Sequence, residues 1–154
     1  MTPKIQSSGS WKSLTMAGLL LFTPKGNNPH MFFKLQAGSM DKYDFVRLLK
    51  DVKTEMKGKK LLLIWDGLPA HKARLVTDYI AAQKSWLRVE RYPAYAPELS
   101  PVEFIWSPIK TKDLAHIPPK GLSHLKRMVK KAFRRIQHNT GILKGCLKKA
   151  GILS

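Results

Sequence analysis

The spacing of hydrophobic residues changes several times along this chain, and each change predicts a different element. The first eleven residues are polar, with Ser7-Ser8-Gly9-Ser10 ahead of Trp11, and read as a loop or frayed end. Residues 13 to 22 have strand character, and the turn-rich stretch from Thr23 to Pro29 leads to a second strand around Met31 to Gln36. Together they predict an antiparallel hairpin. From Asp41 the period becomes helical, because Phe45, Leu48, Leu49 and Val52 fall on one face and Asp41 is placed to cap the first turn. Gly58-Lys59-Lys60 ends that helix. Leu61-Leu62-Leu63-Ile64-Trp65 is then a continuous apolar run of the kind found in strands buried on both faces, and it stops abruptly at Asp66-Gly67.

A second helix is predicted from Ala70 or His71 to about Lys84, followed by a short strand, Leu87 to Arg91, and a loop punctuated by Pro93, Pro97 and Pro101. Val102 to about Lys112 is predicted helical. After the Pro118-Pro119-Lys120-Gly121 break, Leu122, Leu125, Val129, Ala132, Phe133 and Ile136 mark another helix. Strands alternating with helices in this way predict an α/β class, in one domain's worth of chain at 154 residues.

Charge changes the picture. Lysine and arginine total 28 against 10 acidic residues, giving a formal charge of +18, far beyond what solubility needs and pointing to a polyanionic partner. Because the cations are spread along predicted elements instead of forming one juxtamembrane cluster, nucleic acid is the expected partner and a membrane is not. The single cysteine, Cys146, forms no internal disulfide and reads as a small buried apolar residue. Leu14 to Phe22 resembles a signal-peptide core only superficially, since Thr23-Pro24-Lys25 follows where a cleavage site would lie. No Cys/His spacing suits zinc, and no apolar stretch reaches membrane-span length.

Two acids stand out. Asp66 ends a hydrophobic strand, where a carboxylate is costly unless it faces a cleft, a cation or a hydrogen-bond donor, although an Asp-Gly turn is an equal reading. Glu103 opens a predicted helix, where the dipole favours an acid whether or not it binds anything. Lys126, Arg127, Lys130, Lys131, Arg134 and Arg135 make the polar side of the last helix, which serves equally as a phosphate-contacting or a solvated face. Trp65, Trp86 and Trp106 are expected in the core.

The strings around the two acids add more. Trp65-Asp66-Gly67-Leu68-Pro69-Ala70-His71 and Tyr95-Ala96-Pro97-Glu98-Leu99-Ser100-Pro101-Val102-Glu103-Phe104-Ile105-Trp106 closely resemble the catalytic core of mariner-like DDE transposases of bacterial insertion sequences. In that family the second catalytic aspartate precedes a D-[NG]-x-x-x-H pattern, and the third acid lies in Y-[SA]-P-E-L-N-P-[IV]-E-x-x-W. Asp66 and Glu103 take those places with 36 residues between them, and His71 and Trp106 match as well. Ser100 stands where asparagine is usual. The first catalytic aspartate has no counterpart, because nothing before Lys12 is acidic and Asp41, Asp44 and Asp51 come too late in the order.

The resemblance implies a ribonuclease-H-like mixed sheet flanked by helices and lacking its first, central strand. It covers essentially residues 11 to 112 and implies residues 1–112 as a truncated catalytic core, with residues 113–154 as a basic helical extension packed on the same domain. It further implies strand cleavage and transfer on DNA, both transposon ends and target, with two Mg²⁺ or Mn²⁺ ions held through Asp66 and Glu103. His71 would sit beside that site at a helix start, with a structural or capping role an equal reading, and Lys110 and Lys112 join the six later cations as DNA-binding candidates. Without the bridging aspartate the pair of ions is hard to hold, so impaired activity is expected, with a separately encoded amino-terminal segment or a homodimer as the completions open to it. A non-catalytic DNA-binding or dimerising remnant is the alternative, and a basic RNA-binding protein explains the charge but neither string. Such a protein is expected in the bacterial cytoplasm, at the nucleoid.

Overall fold

Three strands lead the chain and three helices close it in a computed structural model, which describes residues 4–6, 13–66, 69–93, 96, 99–109 and 121–154. In chain order they are β1 (Lys4–Gln6), β2 (Ser13–Leu21), β3 (His30–Ala37), α1 (Lys42–Met56), β4 (Leu61–Trp65), α2 (Arg74–Ala82), β5 (Leu87–Arg91), α3 (Glu103–Pro108), α4 (Leu122–Ile136) and α5 (Thr140–Lys149). They gather into two compact units, residues 40–96 in one and residues 2–39 with 97–154 in the other. The 112/113 boundary expected from the sequence falls outside the described residues.

In the second of these units β2 and β3 form the expected hairpin, antiparallel from Leu14 opposite Ala37 to Leu21 opposite His30. The amino-terminal residues depart from expectation. Lys4 to Gln6 are a strand, not a loop, because they fold back antiparallel onto Ser13 to Thr15 and satisfy their backbone groups there. Beyond Thr15 the same edge of β2 pairs with no described strand. The core inside this sheet joins Leu14, Met16 and Met31 to Ile105, Trp106 and Ile109, to Leu125, Val129, Phe133 and Ile136 of α4, and to Leu143 and Cys146 of α5.

Aromatic packing centres on Phe133, stacked on Phe33 at 4.7 Å and met edge-on by Trp106 at 5.2 Å. Gly18 lies opposite Phe33 in the hairpin, and a Cβ there would come within 2.9 Å of the Trp106 ring and 2.7 Å of Met31 Cε. Its missing side chain is the space the indole uses. At the far end Gly26, with φ +78°, turns the chain between β2 and β3 directly beneath Leu153. α4 follows the predicted stripe, whereas α5 has no counterpart among the predicted elements. Asn139 caps α5, its side chain accepting from the Ile142 N–H at 3.1 Å, and Leu143, Cys146 and Leu147 are its buried face.

In the other unit α1 begins with a capping box, in which Asp41 accepts from the Asp44 N–H and Asp44 from the Asp41 N–H, both at 2.9 Å. Phe45, Leu48, Leu49 and Val52 are buried as predicted. β4 and β5 pair in parallel, Leu61 opposite Leu87 through Trp65 opposite Arg91, joined by a short 3₁₀ turn, Pro69–Lys72, and α2. The single helix predicted from residue 70 or 71 is thus split, because Ala73 is extended, with ψ 141°. β4 is not buried on both faces: Leu63 and Trp65 are covered, with Phe45 of α1 edge-on to Trp65, while Leu62 and Ile64 remain 56% and 45% exposed. A strand in a two-stranded ribbon has a helix to cover one face only.

Candidate functional site

Asp66 follows β4 directly, at the carboxyl end of a parallel strand pair, the end of a parallel sheet at which loops collect functional groups. The 3₁₀ turn carries His71 back beneath it. The imidazole lies flat on the Trp65 indole, centroids 4.1 Å apart with planes 4° from parallel, and Phe45 meets it edge-on at 4.5 Å. These rings leave His71 only 4% exposed.

Nδ1 of His71 lies 2.8 Å from the Asp66 carbonyl oxygen and 3.1 Å from Oδ1 of the same residue. Both neighbours are acceptors, which assigns the proton to Nδ1, whence it is donated to Asp66. That hydrogen bond holds the Asp66 carboxyl well below the usual carboxylate range, and the opposing effect of burial is smaller. Asp66 is therefore an ionised oxygen donor whose side chain stays 30% exposed, fixed in orientation by a buried imidazole. A hard divalent cation needs that kind of ligand, so Asp66 fits the expected metal.

Glu103 is the first residue of α3, in the other unit, half-buried and positioned by the core beneath it. Its N–H bonds the Ser100 carbonyl at 3.2 Å, so the turn holds through backbone with serine in the position where asparagine is usual. Three residues on, one helical turn away, Trp106 plugs into the core at Gly18 and anchors the helix. Among the described residues no group of three or more His, Cys, Asp or Glu side chains is arranged to hold a metal ion. Trp65, Trp86 and Trp106 are all buried, as expected of core residues.

The six basic residues of α4 are all exposed, whereas Lys110 and Lys112 lie outside the described residues. No described helix is long and apolar enough to cross a membrane. The role of Trp65 and Phe45 as the walls around His71 escaped the sequence reading. The one available signal was an aromatic residue immediately before the strand-ending aspartate.

Comparison with known proteins bears on this geometry. The profile of a family described as DDE superfamily endonuclease matches residues 1–126. No curated protein sequence matches the chain. Among solved structures, the Mos1 transposase catalytic domain with raltegravir and Mg is similar at TM-score 0.64 and 15% identity, over 98% of this chain and 81% of that one. The Mos1 mariner paired-end complex with Mn gives TM-score 0.69 and 15% identity, over 96% of this chain and 44% of that one. A chain of the simian T-cell lymphotropic virus intasome complex with a PP2A regulatory subunit gives TM-score 0.54 at 9% identity, over 90% and 47%. At these identities the likeness is one of fold, the ribonuclease-H-like fold of transposase catalytic domains.

Proposed function

The chain belongs to the DDE superfamily endonucleases, and on that premise we propose that it contributes the carboxy-terminal part of a transposase catalytic domain, acting on transposon ends and target DNA. The observation that carries the proposal is Asp66 itself, an ionised carboxylate held by a buried histidine at the end of a parallel strand. Asp66 and Glu103 would hold Mg²⁺ or Mn²⁺. Bound there, such ions lower the pKa of an attacking water or hydroxyl and stabilise a leaving oxygen. The chain's own contribution is positional: His71 fixes the Asp66 carboxylate, and Trp106 fixes the helix bearing Glu103.

Two carboxylates make an incomplete cage for a pair of ions, so the polypeptide alone is proposed to be weak in cleavage. A separately encoded amino-terminal segment that adds a third carboxylate would restore it. The edge of β2 beyond Thr15 supports that completion, since among the described residues it pairs with no strand and so offers backbone groups to an added one. A second copy of the chain is the other candidate. The net charge of +18 favours one further reading, a DNA-binding or dimerising remnant without chemistry. We propose the bacterial cytoplasm, at the nucleoid, as its setting.

Nicking of supercoiled plasmid in Mg²⁺ or Mn²⁺ tests this, with and without a supplied amino-terminal segment and beside Glu103→Gln. Faint nicking that rises with the segment and vanishes in the variant is the expected result. Nicking that Glu103→Gln leaves intact would remove the two-acid assignment.

A further inference from the structure

Cations and acids are unevenly divided in this protein. The unit of residues 40–96 holds seven of the ten acids, and the outward positions of α1 mix Lys42, Arg47, Lys50 and Lys53 with Asp51 and Glu55. A solvated helix ordinarily looks like that. α4 does not. After Asp113 the sequence has no acid at all, and the exposed positions of α4 are Lys126, Arg127, Lys130, Lys131, Arg134 and Arg135, with Ser123 the one uncharged member.

Their spacing makes a strip. Lys126, Lys130 and Arg134 recur every four residues, and Arg127, Lys131 and Arg135 repeat that spacing in the adjacent row. At 1.5 Å rise per residue, members of a row are roughly 6 Å apart and the whole strip is about 13.5 Å long. Like charges at this spacing repel, and the helix is held against that repulsion by its opposite face, where Val129 and Phe133 are fully buried. The same burial leaves α4 no apolar stripe to insert into a membrane, because that stripe is already in the core.

We infer that the exposed face of α4 is a docking strip for the phosphate backbone of duplex DNA, independent of base sequence and of the metal site. One DNA strand carries a phosphate about every 3.4 Å of axis, so the strip runs beside roughly four of them. This rests on the DNA-handling function proposed above. It gives the protein a grip on DNA that needs neither Asp66 nor Glu103.

The test is fluorescence anisotropy of the full chain on a 20-base-pair duplex of arbitrary sequence, in EDTA, between 50 and 300 mM NaCl. The triple variant Lys126→Ala, Lys130→Ala, Arg134→Ala is compared with an equal charge loss on α1, Lys42→Ala, Lys50→Ala, Lys53→Ala. Each phosphate contact contributes about 0.9 to the slope of log affinity against log salt. The α4 variant should therefore lose about 2.7 from the slope and on the order of 10²-fold in affinity at 0.15 M salt. The α1 variant should stay near wild type. Alanine is a strong helix former and relieves the repulsion, and circular dichroism checks that α4 remains folded. Equal losses in both variants, or none in the α4 variant, would overturn the strip while leaving DNA binding in place. Tighter binding to structured RNA than to duplex at matched salt would also overturn it. If wild type binds no duplex, the underlying DNA reading falls along with the strip.

Discussion

Replacing His71 in two opposite ways separates what its ring does from what its proton does. His71→Phe keeps a ring between Trp65 and Phe45 but removes the donor to the Asp66 carbonyl at 2.8 Å and to Oδ1 at 3.1 Å. His71→Asn keeps a donor near the Nδ1 position and loses most of the ring. Removing a donor from a part-buried acceptor costs about 1–3 kcal/mol, which sets the loss for His71→Phe. Two aromatic contacts at about 0.5–1.5 kcal/mol each, plus the cavity left by a nearly buried side chain, set about 2–4 kcal/mol for His71→Asn. The acid response distinguishes the two further. Asp66 titrates below its ordinary range in the folded protein, so its contribution is complete above the unfolded value of roughly 4 and drains away as pH falls through the folded value. With phenylalanine at 71 the largest lowering influence is gone and burial pushes the carboxyl the other way, so that drain should shrink. With asparagine it should persist. Urea unfolding followed by tryptophan fluorescence from pH 7 to pH 2 measures both quantities. A His71→Phe protein matching wild type in midpoint and in acid response would refute the reasoning.

Other perturbations have equally definite outcomes. Gly18→Ala puts a Cβ 2.9 Å from the Trp106 ring and should cost about 1–3 kcal/mol by overpacking, measured by urea unfolding and partly relieved when Met31→Ala makes room. Asp41→Ala removes one half of the capping box and should lower stability by about 0.5–2 kcal/mol, read from the thermal midpoint. Asp66→Asn should abolish the acid-dependent loss described above and weaken Mn²⁺ quenching of tryptophan fluorescence; unchanged quenching would detach Asp66 from the metal.

The legible parts of this fold were those with a period. β2, β3, α1 and α4 repeat their apolar residues over several turns or pleats, and Asp66 was conspicuous because a carboxylate ended an apolar run. β1 is three residues long and has no pattern to read; only its pairing with Ser13 to Thr15 makes it a strand. In α5 Gly141 and Gly145 dilute the helical signal, although Asn139 with Leu143, Cys146 and Leu147 carried it. The bare face of β4 was invisible because an apolar run reads the same whether one face or two are covered, a matter of what packs beside it. His71 was visible as a motif member, but its place between Phe45 and Trp65 depends on the extended Ala73 that separates the 3₁₀ turn from α2.

The residues that follow α5 act on a distant part of the chain. Leu153 rests on Gly26, and the Ile152 N–H bonds back to the Leu147 carbonyl at 2.9 Å, so the segment after α5 is stitched over the tip of the β2–β3 hairpin. Replacing that leucine by a small residue should loosen a turn more than a hundred positions earlier in the sequence.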